Sequence, residues 1–317
     1  MSNLIKKVQN TCFQNDLFKK GDRILLAVSG GPDSVALLNI FLSLQKKYSL
    51  ELAIAHVNYN LRGADSQKDA ELVKKLAEKN GLKIFIKSVR AAKKNISENY
   101  LRNLRYDFFE KIRNKNNFNF IAVGHNADDQ VETFLMRIVR GSGLSGLSAM
   151  KFKNNFIIRP LLTTSRREII KYLKENKKTY RIDKTNKQNL FLRNKIRNKL
   201  IPQLEKDFNL NIRETILNSL YSISEDANFL ENATEKYSRK IDVLKIKDLK
   251  KLHPAILRRV LRNKLEIKKG DLKNISMRNI EEIIKIIKST KSKNQIVILP
   301  GLKITRKNDR LSIIKIN

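Results

Sequence analysis

The chain has 317 residues, 41% of them hydrophobic, and carries 66 Lys+Arg against 31 Asp+Glu for a formal net charge of +35. That length and apolar content exclude wholesale disorder and leave room for two domains. The charge favours a polyanionic partner, nucleic acid first. Cys12 is the only cysteine, which excludes an internal disulfide and any cysteine-built metal or iron–sulfur cluster, and suits a reducing compartment. The opening MSNLIKKVQN lacks the apolar stretch of a secretory signal, and no apolar run approaches bilayer length. A soluble intracellular protein with no membrane partner is expected.

In chain order, RILLAV (23–28) reads as a buried strand and SVALLNIFLSLQK (34–46) as a helix. ELAIAHV (51–57) is a second strand, followed by a helix near 65–79 that Gly81 punctuates, and LKIFIKS (82–88) is a third. A helix over about 97–114, a strand at FNFIAVG (118–124) and a helix over about 127–139 complete the alternation. Strands alternating with helices predict an α/β fold with a doubly wound, mainly parallel sheet. The continuous apolar runs fit strands covered on both faces.

Beyond residue 160 the pattern changes. TSRREIIKYLKENK (164–177) predicts a helix capped by Thr164 or Ser165 with Glu168 in its first turn. A polar loop, RIDKTNKQN, leads to a basic helix over LFLRNKIRNKLIPQLEKD that stops near Pro202. A long helix from about 212 to 238 then connects to a smaller, mostly helical domain with HPAILRRVLRNKL and SMRNIEEIIKIIKS. The end, NQIVILPGLKITRKNDRLSIIKI, alternates and turns at Pro300-Gly301 and Asn308-Asp309, predicting a short β hairpin region. Domains over 1–210 and 211–317 follow.

SGGPDS, residues 29–34, sits where a strand hands over to a helix, the usual phosphate position of a doubly wound sheet. Gly30 and Gly31 let backbone N–H groups converge on a phosphate, Ser29 and Ser34 add hydroxyls, and Pro32 opens the helix whose dipole favours the anion. Asp33 belongs beside phosphate only if it meets a cation or a substrate amine. No Walker loop exists in the chain. GSGLSG (141–146) has dinucleotide-fingerprint spacing but follows a helix, so it is rejected as a nicotinamide site.

GHNADDQVET (124–133) brings His125, Asp128, Asp129 and Glu132 to the end of the fourth strand. Asp129 and Glu132 are three apart and share a helix face. Such carboxylates suit Mg²⁺ held with nucleotide phosphates, with Asp128 and Asp129 as metal candidates, or a cationic substrate. Arg102 and Arg105, three apart on their helix, can cooperate on one anion. Tyr106, Phe108 and Phe109 are expected to anchor that helix in the core, and His56 and His125 to be oriented structural histidines. In the basic helix Arg193, Lys195, Arg197 and Lys199 form two cationic rows suited to an RNA backbone.

Together with AHVNYNLR, RYDFF, RPLL and RNKIRNKLIPQL, these blocks in this order resemble the tRNA(Ile)-lysidine synthase family, a branch of the PP-loop ATP pyrophosphatases. The resemblance is close over about 20–205. Tyr59 and Asn126 stand where the family often has histidine. It implies an adenine nucleotide alpha hydrolase-like fold and the ATP-dependent ligation of free L-lysine to the wobble cytidine of CAU-anticodon tRNA(Ile). Residues 29–34 would then bind ATP, with Mg²⁺. Asp33, Arg105, His125, Asp129 and Glu132 would be catalytic, and Arg102, Arg193, Lys195, Arg197 and Lys199 would bind tRNA. A cytoplasmic or plastid-stromal setting follows, and monomer and homodimer both stay open. A thiolase is disfavoured by the single cysteine, and a non-catalytic RNA-binding module by the intact acidic set.

Overall fold

The computed structural model describes residues 3–61, 63–89, 98–148, 150–182, 191–240, 244–291 and 293–316. The chain divides into two compact units, Met1–Tyr221 and Ser222–Asn317.

In the first unit, α1 (Asn3–Gln14) precedes β1 (Arg23–Ala27), α2 (Pro32–Tyr48), β2 (Glu51–Asn58), α3 (Ala64–Lys79), β3 (Lys83–Ser88), α4 (Glu98–Lys115), β4 (Phe120–Val123) and α5 (Ala127–Val139). Then come α6 (Leu144–Leu147), the two-residue strands β5 (Lys153–Asn154) and β6 (Ile157–Ile158), α7 (Arg166–Glu175), α8 (Leu192–Lys195) and α9 (Ile201–Asp207). The helix α10 (Ile212–Lys240) contains the division between the units.

The sheet order is β3-β2-β1-β4-β6-β5, parallel throughout except for the β5–β6 pair. Chain order runs outward from β1 to β3 on one side and resumes at β4 on the other, so the switch point lies between β1 and β4. The pleat sends alternate residues of β1 to opposite faces. Ile24 and Leu26 join a core with α1, α2 and α7, including Val8, Leu38, Phe41 and Ile169. Leu25 joins Phe109, Phe118, Ile121 and Val123 on the α4 side. Cys12 is part of the first core, and burial pushes its thiol up to about 12.

The N-terminal helix α1 and the strands β5 and β6 went unpredicted. The α7 cap resolves to Ser165, whose hydroxyl accepts from Glu168 N–H while the Glu168 carboxylate takes Ser165 N–H. Only residues 181–182 of the expected loop RIDKTNKQN lie among the described ones. Pro202 does not end its helix. It stands in the first turn of α9, preceded by a π-helical turn over Ile196–Leu200. A wider turn relieves the clash a proline ring makes with the preceding turn and tolerates its missing N–H.

The second unit packs α11 (Ile246–Lys250), α12 (Pro254–Lys269) and α13 (Met277–Lys288) on an antiparallel sheet of β7 (Gln295–Leu299), β8 (Leu302–Lys307) and β9 (Arg310–Lys315). Leu257, Leu261, Ile280, Ile283, Leu302 and Ile304 form its centre. The turns fall at the expected positions, with Gly301 at φ 78° and Asn308 at φ 51°. Among the described residues, no helix is long and apolar enough to cross a membrane.

Candidate active site

The chain leaves β1 into the Ser29–Ser34 loop. Gly30 takes φ 88°, a left-handed conformation that any side chain would strain. The loop is closed by its hydroxyls: Ser29 N–H donates to Ser34 Oγ (3.1 Å), Gly31 N–H to Ser29 Oγ (3.3 Å), and Ser34 Oγ to Gly31 O (2.9 Å). Pro32 occupies the first turn of α2, so the 17-residue helix aims its N-terminus at the loop.

The loop after β4 lies directly against this turn. A Cβ on Gly124 would stand 3.1 Å from the Asp33 carbonyl carbon and 3.2 Å from Ser34 N, both backbone atoms, so a side chain here would push the two loops apart by a few tenths of an ångström. Between the two loops, at the switch point, opens a cavity of about 200 Å³. It is lined by Ser29, Gly31, Asp33 and Ser34 of the loop, by Tyr59, Arg105, Tyr106, Phe109 and His125, and by Ala27, Val57 and Val123.

The acids expected from GHNADDQVET gather at the start of α5, each with arginine. Asn126 and Asp129 form a reciprocal cap, Asp129 N–H donating to Asn126 Oδ1 (3.0 Å) and Asn126 N–H to Asp129 Oδ2 (2.9 Å). Asp129 Oδ1 accepts from Arg193 Nη2 at 2.6 Å. Glu132, 1% exposed, accepts from Arg193 Nε (2.7 Å), Arg197 Nε (2.5 Å) and Arg197 Nη2 (2.8 Å). Burial alone would lower the Arg197 pKa, but Glu132 and Asp129 hold it above its ordinary value. Asp128 accepts from Arg213 Nη1 and from the peptide N–H of Arg166, both at 2.8 Å.

The Arg193 and Arg197 guanidiniums pair with the α5 acids, whereas Lys195 and Lys199 are exposed. All four carboxylate oxygens of Asp128 and Asp129 accept hydrogen bonds from protein donors. Among the described residues no group of three His, Cys, Asp or Glu side chains could hold a metal ion. Asp33 differs. Its Oδ2 accepts from Arg166 Nη1 at 2.5 Å, while its Oδ1 is buried without a hydrogen-bond partner. Burial pushes its carboxyl pKa up, Arg166 opposes the rise and Asp129 adds to it.

The Arg102 and Arg105 guanidiniums lie 5.0 and 5.5 Å from the Tyr106 ring centroid. Tyr106 therefore lines the cavity with two cations close to its ring, beyond the core role expected for it. His125 Nδ1 is buried and without a partner. Burial, then the charges of Arg159, Arg193, Arg102 and Arg105, hold its pKa well below the ordinary value, so the ring is neutral at physiological pH. His56 is structural as expected: its Nδ1 lies 2.8 Å from the Val28 carbonyl and orients the end of β1.

Sequence reasoning missed Arg166, Arg213 and Arg181, which partner the Asp33, Asp128 and Asp69 carboxylates. Arg166 had one usable signal, its place directly after a capping serine. The others are single arginines in a chain rich in them.

The chain matches the family model of the PP-loop domain over residues 2–204. Across 97% of its length it is 39% identical to the tRNA(Ile)-lysidine synthase of Clostridioides difficile, covering 70% of that protein. The chain belongs to the tRNA(Ile)-lysidine synthase family. Another lysidine synthase, from Chlorobaculum tepidum, is 37% identical over 90% of the chain and 83% of its own length. For the lysidine synthase of Caldanaerobacter subterraneus the shares are 92% and 65% at 37% identity, so the chain spans about two thirds of some relatives' length. The U34-tRNA thiolase NcsA of Methanococcus maripaludis shares the fold, with a TM-score of 0.57 at 19% identity over 70% of this chain and 78% of that one.

Proposed function

We propose that this chain ligates free L-lysine to the wobble cytidine of a CAU-anticodon tRNA(Ile), consuming ATP, in the cytoplasm where those substrates meet. The observation that carries the reading is the cavity at the switch point, lined both by the Ser29–Ser34 loop and by Arg105, Tyr106 and His125. The cytidine carbonyl oxygen attacks the ATP α-phosphate and pyrophosphate leaves; the lysine ε-amine then attacks the ring carbon, loses a proton, and AMP leaves.

Ser29, Gly31, Ser34 and the α2 N-terminus hold the phosphates. Mg²⁺ fits this site as a companion of the phosphates rather than in a protein cage: Asp33 Oδ1, buried and unpartnered, is the oxygen that would face it. When bound it supplies charge neutralisation at the phosphates. Arg105 and neutral His125 face the reacting base, the first as a fixed positive charge and the second as a hydrogen-bonding group. Asp129, its carboxylate already held by Arg193 and the Asn126 N–H, would meet the lysine cation through the remaining lone pairs of its oxygens, and Glu132 holds Arg193 and Arg197 in place beside it. Lys195 and Lys199, with Arg102, take the tRNA backbone. A sulfur-transfer reaction finds no support, because the one cysteine is buried and its thiol stays protonated.

The test is incubation with a CAU-anticodon tRNA transcript, Mg-ATP and labelled lysine, followed by digestion to nucleosides. A lysine-bearing cytidine is expected; its absence with well-folded protein overturns the reading.

A further inference from the structure

A phosphate loop works only if its peptide N–H groups face the ligand, which requires its carbonyls to face elsewhere and to find donors there. Gly30 is buried, and its carbonyl accepts from the peptide N–H of Arg181 at 3.0 Å. The peptide joining Gly30 to Gly31 is trans and planar, so its C=O and N–H point in opposite directions. Fixing the carbonyl toward Arg181 therefore turns the Gly31 N–H toward Ser29 Oγ and the cavity, which both residues line.

Arg181 is itself held by its side chain. Its Nε donates to Asp69 Oδ1 and its Nη2 to Asp65 Oδ1 at 2.9 Å. The two acids are four apart on α3 and present one face to the guanidinium fork. Asp69 is only 11% exposed at its side chain, so that pair is shielded; the Asp65 pair, half exposed, contributes little. The same stretch of α3 lies under the loop: a Cβ on Gly30 would stand 3.6 Å from both Asp69 O and Val73 Cγ2. The loop, Arg181 and α3 thus meet at Gly30.

We propose that Arg181 is a positioning residue for the pyrophosphate portion of the nucleotide, fixing the Gly30–Gly31 peptide through its own N–H while Asp69 and Asp65 fix Arg181. This rests on the ATP-dependent reading above and assigns that site a residue that never touches the ligand. It acts on binding of phosphate chains as a class, so ATP and inorganic pyrophosphate both sense it, and lysine does not.

The experiment is calorimetric titration of Mg-ATP, and separately of Mg-pyrophosphate, into the wild-type chain, Arg181→Gln, Asp69→Asn, the double variant and Arg181→Lys. Arg181→Gln is expected to weaken both ligands about tenfold, equivalent to about 1.4 kcal/mol. Asp69→Asn should do nearly the same and the double variant no worse, because the two residues act as one unit. Arg181→Lys should recover part of the loss through Asp69. In the ligation assay KM for ATP should rise in proportion while KM for lysine stays within error of wild type, and the thermal midpoints of Arg181→Gln and Asp69→Asn should fall together because each breaks the same shielded pair. Wild-type affinity in Arg181→Gln and Asp69→Asn would overturn the proposal, as would a fall in thermal midpoint with every KM raised alike. A chain that binds ATP in this pattern yet makes no lysidine supports the positioning role and sinks the ligase reading. A wild-type chain that binds neither ligand sinks both.

Discussion

Replacing Glu132 by glutamine removes one charge from the most enclosed carboxylate of the site. Oε2 accepts from Arg193 Nε and Arg197 Nη2, and Oε1 from Arg197 Nε. A glutamine oxygen can serve the first two donors, which leaves its amide N–H₂ facing the Arg197 Nε–H, donor against donor. The lost charge-assisted bond is worth about 1.5–3 kcal/mol. Two guanidiniums also lose their main countercharge, and breaking a buried pair from one side costs about 3–5 kcal/mol in total. Set against a typical domain stability of about 5–15 kcal/mol, this is a large fraction. At roughly 2–4 °C per kcal/mol for a unit of this size, the first unit's midpoint should fall by about 6–20 °C. The chain has no tryptophan, so urea unfolding followed by far-ultraviolet circular dichroism, fitted with two transitions, is the suitable measurement. Converting Glu132, Arg193 and Arg197 together to methionine should recover most of the loss. A loss below about 1 kcal/mol for Glu132→Gln would show that the cluster behaves as solvent-screened surface pairs, and the reasoning would fail.

Asp129→Ala should abolish lysidine formation while sparing tRNA retention in a gel shift, and should cost about 1–2 kcal/mol through the lost reciprocal cap; loss of tRNA retention instead would make the residue structural only. Gly124→Ala puts a methyl 3.1 Å from the Asp33 carbonyl carbon and should weaken ATP binding several-fold, with Gly124→Val worse; unchanged ATP affinity in both would refute the close-approach argument. The His125 pKa is depressed in the folded state, so between that value and about 6.5 the unfolded chain binds more protons and stability falls as pH drops below about 6.5. His125→Gln should flatten that acid limb, and an unaltered slope of stability between pH 7.5 and 5.5 would count against a neutral buried imidazole. Replacing Lys195 and Lys199 together by alanine should shallow the salt dependence of tRNA binding by a slope of about 2; an unchanged slope would remove that row from the RNA surface.

The parallel sheet was legible because apolar strand runs and amphipathic helices alternate through residue 139, and the phosphate loop because SGGPDS stands at a strand-to-helix junction. Periodicity says nothing about two-residue strands, so β5 and β6 escaped, although β6 is what brings the chain back beside β4. The acids of α5 were visible as a cluster, but their partners lie 38–85 residues away in sequence and could not be read locally. The partners of Arg193 and Arg197 were hidden for the same reason. A cationic row on a helix reads as a nucleic-acid face until the surface it packs against is known. Pro202 reads as a stop because a local rule forbids it in a regular α-helix, and the chain satisfies that rule by changing the helix just before it.

Asp33, Asp128, Asp129 and Glu132 are matched by Arg166, Arg193, Arg197 and Arg213, four acids and four bases. Synthesis delivers them in that order, all the acids before any of the arginines. A nascent chain that has reached residue 160 holds the whole sheet and none of the positive charges that complete its edge. Collapse of that intermediate must leave the α2 and α5 termini hydrated, because closing them over unmatched carboxylates is unfavourable. The last step in forming the cleft then waits for residues 166–213 to emerge, so a ribosome-stalled or proteolysed fragment ending before them should retain strands but lack a nucleotide site.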